Sequence, residues 1–383
     1  MSSAKGILLT GPGTYTHLLT NALSEGNRLQ AVIKYYPEWE LVSSNGRSVR
    51  IPLYKYSVWA LWAAWRRLPY WGQFEHPRTW HFALYDYLAR LHFPPEAQFL
   101  WAWSGTSLFT MRHAKRLGLP VFLEFPAAHP RFWAELATKT YRSLPLSKGR
   151  FGILPESLIR RQEAEIKSAD KVVVLSSFAK RTLIEKGVPS EKIAIIPLGV
   201  EANVFTPASR LLRSPFRVVY VGRIDPLKGV HVLLKAWERL NLPQAELWIV
   251  GHVVPEMQRV LAQYEGRFRL IQALSREKLP DLYRQATVLV FPTLMDAFGL
   301  VLLEAMASGL PVIATQNSAA PDVLEEGIIP ADDGEALQAA LLDFYKRRDL
   351  EDIGRANRER VERGYTAAHY YQRVNRLLEE HGL

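Results

Sequence analysis

Cysteine is absent from the 383 residues. Its absence removes disulfides, thiol nucleophiles and thiolate metal sites together, which narrows the chemistry without fixing the compartment. The chain also lacks any run of about 18 uninterrupted apolar residues, the length that crosses a bilayer, and Lys5 with Gly6-Ile7-Leu8-Leu9 is too short for a signal peptide. A cytoplasmic protein is therefore expected. There is no His-Glu-x-x-His, and no short repeat or low-complexity tract, which argues against a zinc hydrolase helix and against a solenoid.

What the chain does contain is a surplus of cations. Lysine and arginine number 48 against 38 acidic residues, a formal net charge of +10. Such a surplus suits an anionic partner: a nucleotide-bearing substrate, an acidic lipid surface or nucleic acid. Hydrophobic residues at 48% and charged ones at 22% describe a globular chain, and its length suggests two domains of ordinary size.

Strand-length apolar runs alternate with segments of helical period. In the second half the runs are Arg217 to Val221, Glu246 to Val250, Thr287 to Phe291 and Pro311 to Ala314. Between the first two, Val230, Leu233, Leu234, Trp237 and Leu240 follow the spacing of an amphipathic helix. Runs apolar on both faces suit a parallel sheet covered by helices on each side, so a doubly wound α/β fold is predicted. The first half repeats the theme with Gly6 to Leu9, Phe99 to Trp101, Val121 to Phe125 and Lys171 to Ser176. A polar, proline-marked stretch from Asn203 to Pro215 breaks the pattern, which divides the chain into residues 1–205 and 206–366. The last segment, 367–383, carries Tyr370, Tyr371, Val374, Leu377 and Leu378 on one face with no strand after it, and is expected to fold back on the first domain.

Two stretches could carry chemistry. Val221-Gly-Arg-Ile-Asp-Pro-Leu-Lys-Gly229 joins a strand to the amphipathic helix, at the end of a doubly wound sheet that faces a ligand. Arg223 and Lys228 there add two charges to the positive helix end, and a diphosphate would fit; the spacing of a Walker loop is missing. An ordinary surface turn with two solvated cations is the alternative. The second stretch begins at Asp296, in the loop after Thr287 to Phe291, and a helix is predicted from Phe298 until Gly309-Leu-Pro311 ends it. Glu304 then lies about two turns in, roughly 10 Å from Asp296, too far for a shared proton but suited to two ends of an elongated ligand. Phosphate oxygens could meet the amides near Gly299 and Leu300 between them. On the other reading Asp296 caps the helix and Glu304 lies on a half-polar face.

Together these stretches resemble the retaining GT-B glycosyltransferases of family four, also called group 1. The resemblance rests on Gly222-Arg223, Lys228-Gly229, Phe298-Gly299-Leu300, the run from Glu304 to Gly309, and Pro311-Val312. It extends to Leu274-Ser275, Leu279 to Arg284 and Ile196 to Val200, from about Lys171 to the C-terminus. It implies two Rossmann-like domains facing across a cleft, and transfer of a hexosyl unit from a nucleoside diphosphate sugar, UDP- or GDP-linked, to the hydroxyl of a sugar, a lipid-linked sugar or a small molecule.

The roles it implies follow residue by residue. Arg223 and Lys228 would hold the donor diphosphate, Glu304 the ribose, Asp296 the hydroxyls of the sugar, and Phe298, Gly299 and Leu300 would offer backbone contacts. His129, after the strand ending at Phe125, would meet the reacting sugar. Gly13, in Gly11-Pro12-Gly13, would lie in a loop that lets backbone approach a substrate; a tight turn is the equal alternative, and a dinucleotide fingerprint would need glycine at Thr16. Two departures stand out: Asp296 replaces the family's first glutamate, and Ser318-Ala319-Ala320 replaces a glycine pair before Pro321-Asp322. No Asp-x-Asp is present to chelate a cation on the diphosphate, so no metal and no other cofactor is expected. No nucleic-acid partner is expected either.

Ser57 to Arg67 places Trp59, Trp62 and Trp65 three residues apart, ending in Arg66 and Arg67. It fits an interfacial helix in peripheral contact with an anionic membrane, or a helix packed on a sheet. The alternative for the whole chain is a basic protein that binds a nucleotide or an anionic surface without turnover.

Overall fold

The computed structural model describes residues 6–10, 16–25, 29–34, 41–43, 77–91, 93–145, 153–209, 211 and 214–383. Gly13 and the Trp59, Trp62 and Trp65 stretch lie outside the described residues.

In the first half, strands β1 (Gly6–Thr10), β2 (Leu29–Lys34), β3 (Leu41–Ser43), β4 (Phe99–Trp103), β5 (Val121–Glu124), β6 (Lys171–Val174) and β7 (Ile193–Ile195) form one sheet. Their order is β3-β2-β1-β4-β5-β6-β7, parallel throughout except for β3, which pairs antiparallel at the edge. Helices α1 (Thr16–Glu25), α2 (Pro77–Leu91), α3 (Leu108–Arg116), α4 (Pro130–Ser143), α5 (Glu156–Ser168) and α6 (Ser177–Glu185) accompany it.

The second half continues with β8 (Phe216–Val221), α7 (Val230–Leu240), β9 (Ala245–Val250), α8 (Gln258–Ala262), β10 (Arg269–Ile271), α9 (Leu279–Arg284) and β11 (Val288–Phe291). After it come α10 (Leu300–Ala307), β12 (Val312–Thr315), α11 (Ala320–Val323), β13 (Ile328–Ile329), α12 (Gly334–Lys346), α13 (Leu350–Gly364) and α14 (Ala367–Glu379). These strands form a fully parallel sheet ordered β10-β9-β8-β11-β12-β13. Both halves are doubly wound Rossmann-like sheets, and they face each other across a cleft.

Strands β4, β5, β11 and β12 are buried at every residue, because helices cover both faces. In each sheet the winding reverses beside the first strand, between β1 and β4 and between β8 and β11. A crevice opens there at the carboxyl ends of the strands. The loop after β4 is fixed by buried charge: Glu165 accepts from the amides of Gly105 and Ser107, and Asp86 from those of Phe109 (2.6 Å) and Thr110 (2.9 Å). Arg161 bridges the two carboxylates and donates to Gly105 O at 2.9 Å. Burial pushes Glu165 up to about 7 despite these donors.

Helix α14 crosses back to pack on α1, with Tyr370, Val374, Leu377 and Leu378 in one core with Leu18, Leu19, Ala22 and Leu23. The ring of His381 meets Phe122 edge-on at 5.1 Å. Among the described residues no helix is long and apolar enough to cross a membrane.

Candidate active site

One wall of the crevice is made by two loops that leave neighbouring strands, β8 and β11. From β8 the chain passes Gly222 and Arg223 into a short 3-10 turn, Pro226–Lys228, and then enters α7. Asp225, 1% exposed, organises this turn: one oxygen accepts from Leu227 N at 2.9 Å, the other from Arg223 Nε at 2.8 Å. The Arg223 side chain is thus aimed by a buried carboxylate while about half of it, 47%, stays exposed. Gly229 closes the turn at φ 68°, and a Cβ there would stand 1.9 Å from Pro292 O. The two loops therefore touch backbone to backbone, an approach that only glycine permits.

The loop after β11 is tied down along its length. Leu294 N donates to Leu227 O at 2.8 Å, Thr315 Oγ1 to Thr293 O at 2.6 Å, and Asn317 Nδ2 to Leu294 O at 2.9 Å. Asp296 N donates to Asn317 O at 2.8 Å. The Asp296 carboxylate is divided: Oδ1 accepts from Phe298 N at 3.0 Å, and Oδ2 pairs with Lys228 Nζ. Both side chains of this ion pair are about one-fifth exposed.

Helix α10 begins at Leu300, two residues later than the sequence suggests. Gly299, at φ 84°, is its N-cap, and no side chain caps it. Asp296 therefore closes a turn ahead of the helix instead of capping it, and the first amides of α10 are left without a side-chain cap.

Glu304 is buried in α10 at 5% exposure, and its Oε2 accepts from the hydroxyl of Tyr283, in α9, at 3.0 Å. Burial raises the Glu304 pKa; the Tyr283 hydrogen bond and the charge of Arg276 pull it back.

The opposite wall comes from the first domain. His129 is the N-cap of α4: its Nδ1 accepts from Arg131 N at 3.2 Å, and its own amide donates to Thr182 Oγ1 at 3.0 Å. Burial first, and the cations Lys186 and Arg131 after it, push this imidazole down to about 4. It is neutral at pH 7, and because Nδ1 accepts, the proton is on Nε2. Ala128 and Ala137 pack with Phe178, Leu227 and Met295 in one apolar cluster. Each domain contributes to that seam a neighbour of a site residue, Ala128 beside His129, Leu227 beside Lys228 and Met295 beside Asp296. Ser176 Oγ to Ala297 O (2.5 Å) and Ser177 N to Asp322 Oδ2 (2.9 Å) add polar ties between the domains.

The structure thus gathers Arg223, Lys228, Asp296, Phe298, Gly299 and Leu300 in two touching loops, with Glu304 farther along α10 and His129 across the seam. Sequence reasoning missed Asp225, Asn317 and Tyr283. For Asp225 a local signal existed, an aspartate before proline two residues from the amide it caps. For Tyr283 none did, since its contact with Glu304 exists only in the folded chain.

Comparison with known proteins bears on this arrangement. Residues 215–347 match the model of glycosyl transferases group 1, and residues 10–199 that of the glycosyl transferase 4-like domain. The phosphatidyl-myo-inositol mannosyltransferase of Mycolicibacterium smegmatis is 30% identical over 295 residues, 72% of this chain and 73% of that protein. The chain belongs to the group 1 glycosyltransferases of the GT-B fold. Another relative, the MMP alpha-(1->4)-mannosyltransferase of Mycolicibacterium hassiacum, is 31% identical over 67% of the chain, which spans 64% of that protein's length. With the D-inositol 3-phosphate glycosyltransferase of Corynebacterium jeikeium the span is about half. In fold, the chain resembles Anabaena HepE, solved in complex with UDP-glucose: the TM-score is 0.66 at 15% identity, covering 98% of this chain and 99% of that one.

Proposed function

We propose that this glycosyltransferase moves a hexosyl unit from a nucleoside diphosphate sugar to an acceptor hydroxyl, with retention at the anomeric carbon. The observation that carries the reading is the Lys228–Asp296 pair, built from two loops at the switch point beside the uncapped start of α10. A diphosphate there meets Lys228, the guanidinium of Arg223 and the amides of Gly299 and Leu300. Those groups favour the nucleoside diphosphate as the bond from C1 to phosphate oxygen breaks and the electron pair leaves with the phosphate. The acceptor oxygen bonds C1 on the same face, and its proton passes to the departing phosphate oxygen. Two side-chain cations and a helix end supply the positive field, so no metal is needed in this scheme.

The aspartate at 296 suits this role. Its short side chain accepts from Phe298 N and pairs with Lys228 at once, so it aims the lysine before the donor arrives and turns its remaining lone pairs toward the sugar hydroxyls. His129 donates from Nε2 to the sugar and takes no proton. Glu304 holds the ribose. The hexosyl donor class is supported by the two mannosyltransferase relatives and by the UDP-glucose bound to HepE.

A panel of UDP-, GDP- and ADP-linked hexoses, followed by proton NMR, tests the reading. Release of nucleoside diphosphate from one donor class, with the anomeric configuration kept in the product, is expected. Tight nucleotide binding with no release from any donor would instead favour a binding protein.

A further inference from the structure

Glu304 has one oxygen committed and one not. Oε2 accepts from the Tyr283 hydroxyl at 3.0 Å, whereas among the described residues Oε1 takes no hydrogen bond. The residue is only 5% exposed, so Oε1 is the one carboxylate oxygen left for a ligand. Tyr283 itself is fully buried, and its ring lies 6.0 Å from that of Phe205, which is also fully buried. Such a phenol cannot swing away. A carboxylate free to rotate about its last bond would offer either oxygen, or neither, to a ligand; a fixed phenol removes that freedom.

We infer that Tyr283 is the positioning residue that turns Glu304 toward the nucleotide ribose, and that the discrimination between ribose and deoxyribose donors depends on it. The inference rests on the reading of Glu304 as the ribose grip. Tyr283 touches no substrate: it orients the oxygen that does. A site built to hydrogen-bond a hydroxyl rejects a ligand that lacks it, because a buried acceptor is then left unpaired, and the rejection is sharp only while that acceptor is held still.

Affinities of the full chain for UDP, GDP and ADP and for their 2′-deoxy counterparts, measured by calorimetry, provide the test. The native protein should prefer the ribonucleotide by about tenfold or more, and Glu304→Ala should abolish the preference. Tyr283→Phe, which keeps the ring and removes only the hydroxyl, should bring the preference to within about threefold of Glu304→Ala. If Tyr283→Phe weakens both nucleotides by the same factor, or keeps the full preference while Glu304→Ala loses it, Tyr283 is structural and the inference is overturned. If Glu304→Ala itself keeps the preference, or the native protein shows none, the ribose reading falls first and the inference with it. Should Tyr283→Phe fold poorly, the pH dependence of ribonucleotide affinity in Tyr283→Leu, which has neither a donor nor a titratable group, serves instead. Tyr283 and Arg276 are the groups that favour the Glu304 anion, so loss of the phenol should move the acidic limb of the profile to higher pH. An unmoved limb would overturn the inference equally.

Discussion

Gly229→Ala is the substitution whose consequence the structure specifies most closely. Two penalties separate cleanly here. The residue sits at φ 68°, where a side chain costs roughly 1–2 kcal/mol, and the added Cβ would fall 1.9 Å from Pro292 O. Ordinary contact begins near 3.4 Å, so the Lys228 loop and the Asp296 loop must part by about 1.5 Å. Misplacement of catalytic groups by about 1 Å costs about 100-fold in rate. Gly187 is the natural control: its φ is 87°, nothing lies within 4 Å of its Cβ position, and it lies in the turn after α6, in neither of the two touching loops. Gly187→Ala should lose about 1–2 kcal/mol of stability and keep native turnover. Gly229→Ala should lose more stability and about 100-fold in the initial rate of nucleoside diphosphate release at saturating donor. Turnover of Gly229→Ala within about threefold of Gly187→Ala would refute the claim that the touching loops set the site.

Two further predictions concern titration. Glu304 has a raised pKa in the fold, so the native state binds its proton more tightly than the unfolded chain, and stability falls as pH rises from about 4.5 through the folded value. Glu304→Gln keeps an acceptor for Tyr283 without a charge. In paired thermal melts from pH 4 to 8 it should gain on the native protein by about 1.4 kcal/mol for each pH unit between the unfolded and the folded pKa, and a constant gap would count against the buried carboxylate. His129 has the opposite sign: held down to about 4, it contributes stability above its unfolded value near 6.5 that is lost as pH falls toward 4. His129→Asn, which can still cap α4, should remove a loss of about 3 kcal/mol from the acid side of that window; identical acid profiles for the two proteins would show that the imidazole is not buried neutral.

The strands were legible because a chain buried on both faces writes nearly continuous apolar runs, as at Val288–Phe291 and Val312–Thr315. Helix α7 was legible by its period, and the end of α10 by Gly309. The start of α10 was misplaced by two residues, since Phe298 is apolar and reads as helix while its amide is taken by Asp296 in a preceding turn. Pairing lay beyond local pattern: Lys228 and Asp296 are 68 residues apart, and Tyr283 and Glu304 are 21 apart. The sequence shows which residue types are present, and only the parallel pairing of strands β8 and β11, which sets their following loops side by side, shows that the shorter acid at 296 reaches the lysine.

The leaving-group assignment is the centre of the account, and single-turnover rates for Lys228→Ala against the native enzyme, with the preferred donor and matched thermal melts, test it most directly. The rate should fall by about 100- to 1,000-fold with the melting temperature nearly unchanged. A rate within about threefold of native would contradict it.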